Sequence, residues 1–224
     1  MLHDGLGSIA QWRSVPADLA RRTGRPVLAY DRAGHGRSTP TPTGAWPADW
    51  LHREAVVLAD LIDAVGASDP VLVGHSDGGS IAAIHAATTP SHTRLALLAA
   101  HSWVEPITVD EIARLRARPD GVVRRLRRYH AAADALFEAW SGVWTGDEFA
   151  AWDIRPRLGA ISAPTLVVQG ARDEYATDRH AVETAAAIGA NAECRLLPGL
   201  GHLLHHEAPE QVGELLARFI AAGA

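Results

Sequence analysis

Short apolar runs alternate with amphipathic stretches along most of the chain, and the two periods predict different elements. PVLAYD (26–31), PVLVG (70–74), TRLALLAA (93–100), APTLVVQ (163–169) and AECRLL (192–197) read as buried strands. Between them the apolar positions move to helical spacing. In DWLHREAVVLADLIDAVG, Leu51, Ala55, Leu58, Ile62 and Val65 share one helical face, and Gly66 marks the stop. Further helices are expected from about Gly78 to Ala87, over 177–188 and over 207–222. Strands that alternate with helices in this way predict an α/β fold, a mostly parallel sheet with helices on both faces.

One region breaks the alternation. From His101 to Ala160 there is no strand pattern, only helix-like pieces rich in Arg, Ala and Trp, including Trp103, Trp140, Trp144 and Trp152. About sixty residues exceed a simple crossover. The expectation is one α/β core, 1–100 and 161–224, with 101–160 inserted as a helical cap over the carboxyl edge of the sheet, where open parallel sheets bind ligands.

The chain has 224 residues, 47% of them hydrophobic, enough for one domain with a full core. Its net charge of −5 gives no nucleic-acid footprint. All 21 basic residues are arginine, and the densest run, Arg124 to Arg128, reads as a solvated helix face. The single cysteine, Cys194, excludes an internal disulfide and reads as an inert thiol of a buried strand. No apolar run approaches membrane-spanning length and no signal peptide is visible, so a cytoplasmic protein is expected.

The chemistry concentrates in GHSDGG (74–79). Ser76 stands in a G-x-S-x-G pattern between an apolar strand and an alanine-rich helix. A serine on that strained turn projects its hydroxyl outward, beside the donor N–H groups of the helix start. The hydroxyl needs a base, and the base an orienting acid. Asp173 follows the strand at 163–169, with Glu174 as its neighbouring rival. His202 follows the strand at 192–197, with His205 and His206 expected at the solvated start of the last helix. Asp31, Gly34 and Gly36 read as turn-formers, His75 as a packing residue, and His35 as either pocket-facing or solvent-facing.

HDGLGS near the start, DRAGHGRS (31–38), GHSDGG, and the pair GARDE and GLGH together resemble the α/β-hydrolase fold superfamily over nearly the whole chain. The resemblance implies a capped serine hydrolase of the esterase, lactonase or carbon–carbon hydrolase kind. Its catalytic residues would be Ser76 as nucleophile, His202 as base and Asp173 as orienter. Oxyanion donors would be the backbone N–H groups of Asp77 and of Gly5 or Leu6. His101, Trp103, Trp140 and Trp144 are expected to line the substrate pocket. No cofactor is expected, and no metal, since His202, His205 and His206 lack a recognised zinc spacing; the expected partner is a small-molecule substrate rather than a nucleic acid or membrane. Asp4 departs from the usual glycine after the loop histidine. The hairpin and strand that normally precede that loop are missing, so a longer native chain is expected. Two alternatives stand beside the enzyme: a ligand-binding receptor of the same fold, and an inactive fragment.

Overall fold

The computed structural model describes residues 1–40, 46–89 and 94–222. After a 3-10 turn at Ile9–Trp12 come α1 (Val15–Thr23), α2 (Trp50–Ala64), β1 (Leu72–His75), α3 (Asp77–Thr88) and β2 (Leu95–Leu98). Then follow α4 (Pro106–Ala117), α5 (Asp120–Leu126), α6 (Ala133–Trp144) and α7 (Arg155–Leu158). The chain closes with β3 (Thr165–Gly170), α8 (Asp178–Ile188), β4 (Ala192–Leu197), α9 (Leu204–Glu207) and α10 (Pro209–Ala221).

The four strands form one parallel sheet in the order β1-β2-β3-β4, with Leu72 opposite Leu95 and Leu95 opposite Thr165. Every residue of β1, β2 and β3 is buried, as expected of strands covered on both faces. Side chains alternate between two cores. Val73, Ala96, Leu98, Leu166 and Val168 face α1 and α10, while Leu72, Leu95, Leu97 and Val167 face the α2, α3 and α8 side. α3 is buried along nearly its whole length and is rich in Gly, Ala and Ile. That composition lets its backbone approach the sheet: a Cβ on Gly78 would lie 2.4 Å from the Leu2 carbonyl oxygen.

Several expectations are revised. Residues 26–31 form no strand and are half-buried to exposed, Leu28 being 50% exposed. The reason is the lack of a ladder partner. Leu2 pairs with β1 through Gly74, and the Met1 amine reaches across, donating to the Leu28 carbonyl at 2.6 Å. A groove of about 470 Å³ separates this segment from Val71–Val73. Val65, expected on the buried face of α2, is 52% exposed because the helix has ended at Ala64. Cys194 is half-buried rather than buried, since β4 is the sheet edge and alternates in exposure. Thr93 of the expected strand 93–100 lies outside the described residues. No helix among the described residues is long and apolar enough to cross a membrane.

Candidate active site

Parallel strands aim their carboxyl ends at one edge, and the loops that leave those ends build the site. Ser76 follows β1, His101 follows β2, Asp173 follows β3 and His202 follows β4. Ser76, His101 and His202 line one cavity of about 440 Å³, with Asp4, Gly5, Leu6, Asp77, Trp140 and Trp144 around them.

Ser76 has φ 52° and ψ −124°, a conformation unfavourable for any residue with a Cβ. The surroundings enforce it. Its N–H donates to the Leu98 carbonyl at 2.8 Å, and its carbonyl accepts from Gly79 and Ser80 in the first turn of α3. Gly74 permits the tight turn: a Cβ there would lie 2.3 Å from the Gly78 carbonyl oxygen.

The His202 ring donates from Nδ1 to both oxygens of Asp173, at 2.9 and 3.0 Å. Asp173 Oδ1 also accepts the Tyr175 N–H at 2.9 Å. Glu174, the rival acid, engages the loop backbone instead, accepting the His202 N–H at 3.2 Å. His75, fully buried, donates from Nε2 to the His202 carbonyl at 2.9 Å. Burial opposes charge on the His202 ring, but Asp173, by charge and hydrogen bond, with Glu174 and Asp4 adding to it, raises its pKa above the ordinary value. The Tyr175 ring packs 4.7 Å from that of His202, and the His101 ring 5.9 Å away. No hydrogen bond joins Ser76 Oγ to His202; the two side chains border the same cavity.

The loop opposite Ser76 is held from behind. The buried His35 ring sits between the Ala33 and Gly5 carbonyls, each 3.0 Å from a ring nitrogen, and donates to one of them, so it faces neither solvent nor cavity. Asp31 and Gly36 shape that turn as expected: Asp31 accepts the Ile9 N–H at 2.7 Å and Gly36 has φ 54°. Asp4 Oδ1 accepts the Leu6 N–H at 2.9 Å, which engages one of the expected oxyanion donors. The N–H groups of Gly5 and Asp77 carry no hydrogen bond to a described residue.

Asp77 does more than lead the helix. Its carboxylate is buried against Gly5 and accepts the Trp140 Nε1–H at 3.0 Å. Burial pushes its pKa up to about 6, against the pull of Arg32 and the Trp140 indole, and Asp4 adds to the rise. His101 is buried with Nδ1 unpaired, and burial among His180, His202 and His75 holds its pKa well below the ordinary value.

Of the expected pocket residues, His101, Trp140 and Trp144 line the cavity and Trp103 does not. Trp103 stacks on the His180 ring at 3.7 Å, with the Arg155 guanidinium 4.2 Å from its ring. His205 is 4% exposed rather than solvated, packed against Trp12 and His75, and burial takes its pKa down to about 2. His206 is half-buried and bonds the Gln11 carbonyl. Sequence reasoning passed over Glu105, His180 and Tyr175. Their only signal was position, Glu105 immediately ahead of the helix-starting Pro106 and Tyr175 two residues after Asp173.

The sequence profile described as "Alpha/beta hydrolase family" matches residues 1–215. The non-heme haloperoxidase of Rhodococcus erythropolis is 29% identical over 237 residues, covering 90% of this chain and 84% of that protein. The serine hydrolase BPHL of Mus musculus is 27% identical over 206 residues, covering 87% of this chain and 69% of that one. The crystal structure of the enol-lactonase from Burkholderia xenovorans LB400 superposes with a TM-score of 0.74 at 21% identity, covering 98% of this chain and 89% of that one.

Proposed function

The chain belongs to the alpha/beta hydrolase family, and from that membership and the site geometry we propose a serine hydrolase. It cleaves an ester, lactone or related carbonyl bond of a small, partly apolar substrate through an acyl-enzyme. The observation that carries this reading is the two-point hydrogen bond from His202 Nδ1 to Asp173, on a ring that shares its cavity with Ser76.

With Nδ1–H given to Asp173, the ring keeps Nε2 as the basic atom. Ser76 Oγ attacks the substrate carbonyl carbon and its proton passes to His202 Nε2. The carbonyl oxygen becomes an oxyanion that accepts from the Asp77 and Gly5 N–H groups; a single donor of this kind is worth about 2.7–4 kcal/mol in the transition state. Imidazolium formed on His202 is stabilised by Asp173, and its Nε2 proton goes to the leaving alkoxide. Water, deprotonated by the same nitrogen, then attacks the acyl carbon, and the proton passes from His202 Nε2 to the departing Ser76 Oγ as the acid is released. Residues 101–160 act as the cap of this site: Thr108 and Ile112 of α4, Val122 of α5, and Trp140 and Trp144 of α6 line the cavity. Those side chains favour an apolar or aromatic acyl portion.

The test is a pre-steady-state experiment with p-nitrophenyl acetate and butyrate, followed by a lactone panel. A stoichiometric burst of p-nitrophenol that vanishes in Ser76→Ala supports the acyl-enzyme. Absence of any turnover in folded protein, with ligand binding retained, favours the receptor reading instead.

A further inference from the structure

The loop that presents Asp173 is anchored from outside the triad. Glu105, 6% exposed, stands just ahead of α4 and spends both carboxylate oxygens on the segment that leads into α8. Oε2 accepts the Thr177 N–H at 2.9 Å and Oε1 accepts the Thr177 hydroxyl at 2.8 Å. Oε2 also accepts Nδ1–H of His180, fully buried, at 2.9 Å. The other ring nitrogen of His180 accepts the Ser102 N–H at 3.2 Å, which fixes the tautomer that donates to Glu105. One helical turn on, the Thr108 hydroxyl donates to the Tyr175 carbonyl at 2.6 Å. From the sheet side, Gln169 Nε2 donates to the Ala176 and Thr177 carbonyls at 3.2 and 3.0 Å.

These bonds bracket Asp173. Tyr175, held through its carbonyl by Thr108, returns its own N–H to Asp173 Oδ1, the oxygen nearer the His202 ring. Residues 173–177 therefore have their position set from α4 as much as from β3. A buried carboxylate with three donors is an anchor of high stakes: it is ionised, its pKa pulled to about 2 by His180 and Thr177 in spite of burial. Removing it leaves His180 and the Thr177 N–H buried and unpaired.

We infer that Glu105 is a positioning residue of the triad, fixing the 173–177 loop so that the Asp173 carboxylate stays aligned with the His202 ring and linking that alignment to the seating of α4 over the cavity. This rests on the serine-hydrolase reading for its consequence in catalysis, and on the hydrogen-bond geometry alone for its consequence at His202. The Asp173 carboxylate raises the His202 pKa, and does so less when its geometry loosens.

The experiment compares wild type with Glu105→Gln and Thr177→Val. The His202 pKa is followed by NMR on protein with labelled imidazole nitrogens. The rate of fluorophosphonate labelling at pH 7 and thermal stability are measured beside it. In Glu105→Gln the His202 pKa is expected to fall by about half a unit or more, and labelling to slow about tenfold or more, as sub-ångström misplacement of a reacting group does. Thr177→Val, which removes one hydroxyl and keeps the backbone bond, shifts both in the same direction by less. A Glu105→Gln protein that melts earlier but keeps the wild-type His202 pKa and labelling rate overturns the inference and leaves Glu105 a purely structural group. Should Glu105→Gln not fold, Thr177→Val decides by the same two readouts. If wild type itself fails to label, the serine-hydrolase reading falls while the NMR comparison still judges the positioning role.

Discussion

Replacing Asp77 by asparagine should stabilise the protein, and by an amount that depends on pH. The Asp77 side chain is 1% exposed, and burial raises its pKa from 3.8 to about 6. A carboxyl whose folded-state pKa lies above its unfolded value binds its proton more tightly when folded. Its contribution is favourable below the unfolded pKa and is lost as pH rises through the folded pKa. A rise from 3.8 to about 6 corresponds to about 3 kcal/mol of destabilisation once the group is ionised in both states, at pH 7.5. At pH 4.5, where the folded group is still mostly protonated, about 1 kcal/mol has been lost. The replacement amide carries no charge to bury, and its side-chain oxygen still accepts the Trp140 Nε1–H. Asp77→Asn is therefore expected to be more stable than wild type by up to about 3 kcal/mol at pH 7.5, or about 6–12 °C in Tm for a domain of this size. The gain should shrink to about one third at pH 4.5. Urea titrations and thermal melts at the two pH values measure it. An Asp77→Asn protein less stable than wild type at pH 7.5, or shifted equally at both, refutes the assignment of a buried, reluctantly ionised carboxyl beside Gly5.

Three further outcomes follow from the same geometry. Asp173→Asn should slow acyl-enzyme formation by about 10⁴-fold with the fold intact, since the amide favours the wrong His202 tautomer; loss below tenfold in burst kinetics argues against Asp173 as the orienting acid. The rate of Ser76 acylation should fall on acidification with a midpoint above 6.5, because the His202 pKa is raised and only the neutral ring accepts the serine proton; a midpoint well below that value contradicts the Asp173 pairing. Gly78→Ala places a Cβ 2.4 Å from the Leu2 carbonyl oxygen and 2.5 Å from that of His3. It should lower Tm and push the Gly5 loop away from Ser76, with kcat reduced more than KM is raised; a variant with wild-type kcat shows that the loop does not contribute to the oxyanion site.

Much of this arrangement can be read from local pattern. β3 and β4 lie within two residues of the expected runs, because short apolar segments rich in Val and Leu have few other structures available between turn residues. Ser76, Asp173 and His202 stand out as candidates because each closely follows a strand, and parallel strands deliver such residues to one edge. Distant partners are the part that pattern misses. PVLAYD has the composition of a strand, yet a strand exists only where a neighbour completes its hydrogen bonds, and no described strand pairs with residues 26–31. His205 looks solvated from its polar neighbours but is buried by Trp12 and His75, which lie far away in sequence. Glu105 and His180 meet across 75 residues, a separation that periodicity does not register. Asp4 stands out in the sequence as a departure in the expected oxyanion loop and Asp77 only as a carboxylate at a helix start, but the folded chain alone shows Asp4 capping Leu6 and Asp77 bonded to Trp140.

The most direct test of the central claim is covalent. Folded protein treated with a fluorophosphonate probe at pH 8 is digested and the modified peptide sequenced by mass spectrometry. The expected result is one phosphonyl group per chain on Ser76, absent in Ser76→Ala and formed at least about a hundredfold more slowly in His202→Ala. Quantitative modification elsewhere, or a Ser76 that stays unmodified in natively folded protein, contradicts the assignment of Ser76 as the nucleophile.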